Sequence, residues 1–481
     1  MSNGQSGGPV THPYFDWFGV DDAMITRVLS AAMDRGADFA DLYFAHRSAN
    51  SIVLEDGIIS RASTGVDRGV GIRVVVGDQT GYAYSEDIDL PSMLKAASTA
   101  SSIASGGGGV PPQGLYTEQV ADLYPVARGW DAVSVTEKLP LLQKTEALAR
   151  SLDEHIIKVS VSWADSDERV LIATSEGKLV ADRRPMSRLM CSVTAQKGDE
   201  IQSNGSNMAA RRGIDWYDDD LIQTICKQAV DRTMILFEAR RPPAGELPVV
   251  LAAGASGILL HEAVGHGMEA DFNRKGTSIY ATMIDSVVAP KEVTIVDSAV
   301  HPHERGALNV DDEGNDTERT VLVEEGVMRT YLHDRISAKH YGVAPTGSGR
   351  RESFRHVPMP RMRCTYMENG PSTREEIIES VKFGIVAETF RNGQVQIGAG
   401  DYTFYIRNGW LIEDGKITAP IKDCNIIGNG PESLRDITMV ANDMKLDTGG
   451  WTCGKEGQSV PVSQGMPTVL VSKLTVGGLN A

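Results

Sequence analysis

The sequence predicts an α+β protein. An N-terminal α/β domain is followed by a C-terminal β-rich barrel or sandwich domain that carries one His-Glu-x-x-x-His helix. Three features of the 481 residues lead there. The order helix, antiparallel meander, helix runs twice through the first half of the chain, as in a duplicated unit. A proline-rich stretch, Glu238-Ala-Arg-Arg-Pro-Pro-Ala-Gly245, then breaks the pattern. Beyond it, short strands recur at regular turn spacing. The expected division is a disordered leader at residues 1–13, the α/β domain at 14–240 and the β-rich domain at 241–481.

Met1 to Pro13 is polar and glycine-rich, without the apolar run or basic start of a signal peptide. Asp21 to Arg35 places Met24, Ile25, Val28, Leu29 and Met33 at helical period and ends at Gly36. From Phe39 to Tyr84 the texture alternates in the β manner, with Asp56-Gly57 and Gly77-Asp78 as hairpin turns. Leu90 to Ile103 is helical, and Ser105-Gly-Gly-Gly-Gly109 reads as a linker because it lacks the Gly-Lys-Ser/Thr ending of a phosphate loop. A second round follows: a helix from Thr136 to Leu152, strands at 156–164, 169–174, 178–181 and 187–196, and a helix from Asp219 to Phe237. After the linker, strands are expected at 247–253, 292–297, 320–324, 326–332, 393–397, 402–407, 410–413, 416–420 and 468–476.

Bulk properties narrow the function. A net charge of −17 argues against a nucleic-acid partner, since phosphate binding needs a basic surface. Cysteines 191, 226, 364, 424 and 453 are few, scattered and odd in number, so a reducing compartment and a cytoplasmic location are expected. No run approaches the ~18 apolar residues of a membrane span.

The chemistry concentrates in Ser256-Gly-Ile-Leu-Leu-His-Glu-Ala-Val-Gly-His-Gly-Met-Glu-Ala-Asp271. His261 and His266 stand five residues apart with Glu262 after the first, the residue types by which zinc hydrolases hold a metal and place a general base. The usual spacing of four puts both rings on one helix face, about 40° apart; a spacing of five splays them by about 140° on a regular helix. A shared metal therefore requires a turn widened by one residue, as in a π-bulge, and Gly265 and Gly267 would ease that distortion. Ser256 is the expected N-cap. The competing reading is two structural helix histidines.

A catalytic zinc needs a third protein ligand and an open position. The downstream candidates are His301, His303, His333, His340, His356, Cys424 and Cys453. His301-Pro-His303-Glu304 reads as a solvent-exposed turn. Cys453 lies in the glycine-flanked stretch Gly449-Gly-Trp-Thr-Cys-Gly-Lys-Glu-Gly-Gln458, with Lys455 placed to keep a thiolate ionised, although a single cysteine is commonly a buried, inert thiol. Asp311-Asp-Glu-Gly-Asn-Asp316 lacks the ordered ligand spacing of an EF-hand and reads as a solvated loop. Arg350, Arg351 and Arg355 are candidates for oxyanion stabilisation by charge, against the alternative of a solvated basic loop.

The run His261 to Gly276, together with Asn309-Val-Asp-Asp-Glu-Gly314, Gly349-Arg-Arg-Glu-Ser-Phe-Arg-His356 and Gly449 to Ser459, resembles the TldD/PmbA family of metalloproteases in its TldD branch. The resemblance extends from about residue 15 to the C-terminus. It implies a zinc-dependent peptidase (Zn2+) with His261, His266 and Cys453 as metal ligands and Glu262 as the catalytic carboxylate. It further implies a heterodimer with a homologous TldE/PmbA-like subunit that lacks the motif. Such a pair encloses a cavity admitting unfolded peptides, for example bacteriocin precursor leaders and antitoxin fragments. Two rivals remain at this stage: a non-catalytic peptide-binding or assembly subunit with structural histidines, and a deformylase-like zinc hydrolase.

Overall fold

The computed structural model describes residues 10–107 and 109–478. Most of the expected leader lies outside the described residues. Its end does not: Pro13–Phe18 is a helix whose N-cap, His12, accepts a hydrogen bond from the Tyr14 amide, and Phe15 and Phe18 are buried. This helix went unread because six residues are too few to show a period.

The first half forms one seven-stranded sheet. The strands Phe39–Glu55, Ile58–Val76 and Gln79–Ser85 make one meander, and Ile156–Thr174, Lys178–Lys197 and Glu200–Ala210 make the other. The meanders join through their first strands, antiparallel, with Asp41 opposite Thr174 and Glu55 opposite Ser160. Each strand is longer than its sequence suggests. The expected breaks fall where a strand leaves the core; residues 58–66 are exposed along one continuous strand that ends at Val76. Polar side chains there mark a solvent-facing stretch, not a turn.

Strand alternation separates the two sheet faces. Even-numbered Ala40, Leu42 and Phe44 pack under the helices Asp22–Met33 and Leu90–Ile103. Ile52 and Leu54, further along the same face, join the core under Val135–Ser151 and Asp219–Met234. Odd-numbered Tyr43 and Ala45 point the other way, against Val310 and Phe354 of the second half.

The second half contains a closed five-stranded barrel in the order Phe383–Gln396, Gly245–Leu251, Val469–Gly478, Cys424–Asn429, Asp401–Glu413 and back to Phe383–Gln396. One of its pairings is parallel, Val386 beside Val250. A six-stranded mixed sheet lies alongside, centred on Ile295–Ser298, Cys364–Met367 and Ser463–Met466. These last two strands were not legible as strands because burial on both faces removes the alternation. The expected strands 402–407 and 410–413 are one strand, Asp401–Glu413, with a register shift at Asn408. The expectation of a single helix in this half is corrected: Ala270–Arg274, Arg335–Tyr341, Arg374–Ser380 and Gly430–Arg435 are helical too. No described helix is long and apolar enough to cross a membrane.

Buried ion pairs fasten the halves together. Arg73 of the first sheet bonds Asp41 and reaches Glu313 at 2.5 Å, all three inaccessible to solvent. Arg184 reaches Asp312 at 2.5 Å, and Arg351 reaches Asp41 at 3.2 Å. The acidic loop expected to be solvated is therefore buried at Asp311, Asp312 and Glu313. Asp312 and Glu313 are spent on arginines 128 and 240 residues away in sequence, and Asp311 accepts from the Glu313, Asn315 and Gly349 amides, which no local pattern could reveal.

Candidate metal centre

The buried strand Gly245–Leu251 leads into a helical turn, Gly257–Leu260. Ser256 does not cap it; its hydroxyl is buried without a partner, and the turn is entered instead through Gly257 N–H to Gly254 C=O at 2.8 Å. Residues His261–Gly265 then form a π-helical turn, the wide turn that a spacing of five requires if both rings are to converge. Tyr280 Oη donates to the Ala263 carbonyl at 3.1 Å, satisfying a group inside the widened turn. The glycines serve space, not backbone freedom. Gly265 has an ordinary helical φ of −58°, and a Cβ there would sit 2.0 Å from Met362 Sδ. A Cβ on Gly267 would sit 2.5 Å from the Tyr280 ring.

Cys453 arrives from the far end of the chain on a hairpin, Thr452–Lys455 with Gln458–Pro461. Glu456 and Gly457 turn the hairpin with φ of 48° and 75°. Alternation sends Cys453 and Lys455 inward while Thr452 and Gly454 face out. The result is a buried cluster of His261, His266 and Cys453 whose donor atoms all lie within 4.8 Å of one another. Cys453 Sγ is 3.4 Å from His266 Nε2, and the two imidazole rings meet edge to face at 5.0 Å. Among the described residues this is the one group of three or more His, Cys, Asp or Glu side chains that converges in this way.

The other candidates go elsewhere. Cys424 is buried in the barrel core. His333 is buried, with its pKa pushed down to about 4 by desolvation. His340 is exposed and His356 contacts Ser353 at 3.0 Å. The His301–Glu304 turn is half-buried rather than free in solvent, with His303 N–H donating to Leu123 C=O. Arg350 and Arg351 are buried, and Arg355 pairs with Asp67 and Glu86 at 2.7 and 2.8 Å, so the solvated basic loop is also corrected.

Glu269 is the site residue that sequence reasoning missed. Fully buried, it receives His266 Nδ1 at 3.0 Å and Lys455 Nζ at 3.1 Å, with Arg361 Nε 3.9 Å from its other oxygen. Its position three residues after His266 was the available signal, since a ligating histidine ordinarily has a carboxylate fixing its second nitrogen. Lys455 thus neutralises Glu269, and Asp271 at 2.7 Å, rather than the sulfur. Arg361 also donates to the Cys453 carbonyl at 2.7 Å, which fixes the hairpin backbone.

Burial opposes every charge in this cluster, and neighbouring charge overrides it. Desolvation pushes the Glu269 carboxyl up, but Lys455 and His266 hold it at about 2. Desolvation would lower His266; the Glu269 and Cys453 charges raise it well above its usual value. Desolvation would raise the Cys453 thiol, and the imidazoles of His261 and His266 bring it well below its ordinary value. The cluster therefore favours a thiolate, the form that binds metal.

The donor set fits a divalent zinc ion. Two imidazoles and one thiolate are zinc ligands, and His261 Nδ1 is buried without a partner. Tetrahedral zinc would place a sulfur and a nitrogen ligand about 3.6 Å apart, close to the 3.4 Å between Cys453 Sγ and His266 Nε2. Glu262, half-buried, is next to His261 in the chain.

A barrel that seats a His-His-Cys cluster beside a carboxylate defines a metallopeptidase-like site, and comparison places it. Three family models match in order: PmbA/TldA metallopeptidase domain 1 at residues 40–104, the central domain at 128–237 and the C-terminal domain at 244–478. The Metalloprotease TldD homolog of Haemophilus influenzae is 41% identical over 453 residues, covering 93% of this chain and 94% of that one. The Zinc metalloprotease TldD homolog of Saccharolobus solfataricus is 28% identical, covering 94% and 99%. Two solved structures share the fold. One is described as a modulator of a DNA gyrase from Thermotoga maritima (TM-score 0.78, 22% identity, 96% and 100% covered). The other is TldE from Thermococcus kodakarensis (TM-score 0.75, 18% identity, 95% and 100% covered). The chain belongs to the PmbA/TldD metallopeptidase family.

Proposed function

We propose that this protein is a cytoplasmic zinc-dependent peptidase acting on unfolded peptides, such as bacteriocin precursor leaders and antitoxin-type fragments, as the catalytic subunit of a heterodimer with a TldE/PmbA-like chain. Residues 14–240 would be its N-terminal domain and 241–481 its metalloprotease domain. The observation that carries the reading is the convergence of His261, His266 and Cys453, with Glu262 next to His261 in the chain. The names of the relatives add to it, and the fold shared with TldE is what an assembly of two homologous chains needs. The five cysteines are all unpaired, as in a reducing compartment.

His261, His266 and Cys453 would hold the metal, and Glu269 would fix the tautomer of His266 through Nδ1. When bound, zinc supplies an acidified water and a Lewis acid for the scissile carbonyl. Glu262 accepts the proton of the attacking water at a carboxylate oxygen and returns it to the departing amine nitrogen. An extended peptide bound along a strand edge presents its backbone with little demand on sequence.

The test is Glu262→Gln. Peptide cleavage should fall about 10²–10⁴-fold, with zinc content staying near one per chain. Cleavage at the parental rate would sink the peptidase reading and leave the rival, a binding or assembly subunit. Cleavage confined to formyl-peptides would favour the deformylase-like alternative.

A further inference from the structure

A cavity of about 630 Å³ lies between the two halves. The exposed stretches of the long first-half strands form one wall, and Thr452, Ser459 and Pro461 of the Cys453 hairpin form part of the other. It is thus separated by that hairpin from the His261–His266–Cys453 cluster, none of whose members lines it.

Its charge is unbalanced. Seven arginines face it against four carboxylates. Two of the arginines are already held, Arg184 by Asp312 and Arg351 by Asp41. Asp165 is committed to Lys138 at 2.6 Å, and Glu352 accepts from the Ser459 amide at 2.7 Å. Glu168, the remaining carboxylate, makes no ion pair among the described residues and feels the charges of Arg184, Arg47 and Arg211, while Arg47 itself is exposed. Arg188, Arg211, Arg305 and Arg350 have no carboxylate within ion-pair distance among the described residues. Arg350 bonds only carbonyls, Met362 at 2.6 Å and Pro461 at 2.7 Å. Arg305 bonds the Trp451 carbonyl and the Thr452 hydroxyl, and Arg188 the Asn207 amide oxygen. Arg211 lies over the Tyr124 ring at 4.8 Å, and its Nε is buried with no partner at all. Arg211, Arg305 and Arg350 are 2%, 8% and 3% exposed. Burial draws Arg305 down to about 10, with Arg188 and Arg211 acting in the same direction, and draws Arg350 down to about 9 although the Asp312 charge acts against it.

A buried charge without a counter-charge is strongly unfavourable, and the chain supplies counter-charges freely elsewhere, at −17 overall. Guanidinium forks match the planar oxygens of carboxylate and phosphate groups. We propose that this cavity is an anion site, in which Arg211, Arg305 and Arg350, with Arg188 at the rim, receive a carboxylate or phosphate group. The group arrives either on an acidic peptide or as a free small anion. Because the walls come from both halves, the bound anion also ties them together. The proposal goes beyond the peptidase reading and does not depend on it.

The test is binding to the full-length protein by calorimetry at fixed ionic strength, with three probes. These are inorganic phosphate, a triglutamate peptide blocked at both ends, and the matching triglutamine peptide. Phosphate or triglutamate should bind with a dissociation constant below about 1 mM, weakened at least about tenfold by Arg211→Met or Arg305→Gln, a decade being about 1.4 kcal/mol. Binding of phosphate alone identifies a free anion as the source; binding of triglutamate with displacement of phosphate identifies the peptide. Should a buried variant fail to fold, Arg188→Gln at the half-exposed rim and an anion-specific rise in Tm of the unmodified protein, over chloride at equal ionic strength, carry the same reading. Absence of binding by both anions, triglutamine binding as well as triglutamate, or variants binding unchanged would each overturn the site. Because the readout is binding, it stands or falls separately from any failure to cleave peptides.

Discussion

The Thr452–Pro461 hairpin has two faces, and buried cations sit behind each on opposite terms. On the inner face Lys455 has Glu269 and Asp271 within 3.1 Å, and Arg361 has Glu269 at 3.9 Å. On the outer face Arg305 and Arg350 have only neutral oxygens. The inner face is closed electrostatically, so its histidines and thiolate are positioned before any metal binds. The outer face is left open, and an unsatisfied charge at that depth implies a ligand. Two adjacent clusters with similar burial thus separate into one whose charges support structure and one whose charges await a partner.

The sharpest way to break this contrast is at Glu269. Glu269→Gln removes the anion shared by His266, Lys455 and Arg361. Breaking a buried pair by removing one member costs about 3–5 kcal/mol, read as a fall in denaturation midpoint. Loss of an outer partner to a ligating histidine lowers metal affinity about 10–100-fold, read by competition with a chelator. If both values match the unaltered protein, Glu269 is not the residue that organises the inner face.

Acid sharpens the same point. Against its burial, Lys455 and His266 hold the Glu269 carboxyl at about 2 in the folded chain, below the usual range of a glutamate. A depressed carboxyl contributes stability that is fully present above about pH 4.5 and is lost as pH falls toward about 2. The chelator-treated protein should therefore lose stability across that window, and Glu269→Gln should flatten this acid limb, measured as Tm against pH. An unchanged acid limb would assign the loss to other carboxyls.

These two clusters also show where sequence stops being informative. The spacing of His261 and His266 carried its own structural demand, because helical geometry relates separation to direction. Gly265 was visible, but its reason was not: the demand comes from Met362, almost a hundred residues later. Period-2 alternation exposed the two meanders but not their lengths, since polar residues along Ile58–Val76 look like a turn. Asp312 and Glu313 read as solvated because their partners, Arg184 and Arg73, lie in another sheet. Buried charge is a property of the folded pair, and a single sequence shows only one member at a time. The same blindness hid the cavity arginines, whose missing partners can be recognised only once their neighbours are known.

The smallest expected effect tests the outer face. Arg188 is half-buried, its Nε bonds only the Asn207 side-chain oxygen at 3.1 Å, and burial lowers its pKa. Arg188→Met keeps the aliphatic length that packs beside Gly450 while removing a charge that no carboxylate offsets. Losing the Asn207 bond costs about 0.5–1.5 kcal/mol, the Nη2 contact to Met190 Sδ at 3.7 Å being weaker, and relief of desolvation works in the opposite direction. The two nearly cancel, so the denaturation midpoint should shift by less than about 1 kcal/mol, several times less than for Glu269→Gln. A loss as large as that of Glu269→Gln would show that Arg188 is as firmly paired as the inner cations, and the difference between the two faces would disappear.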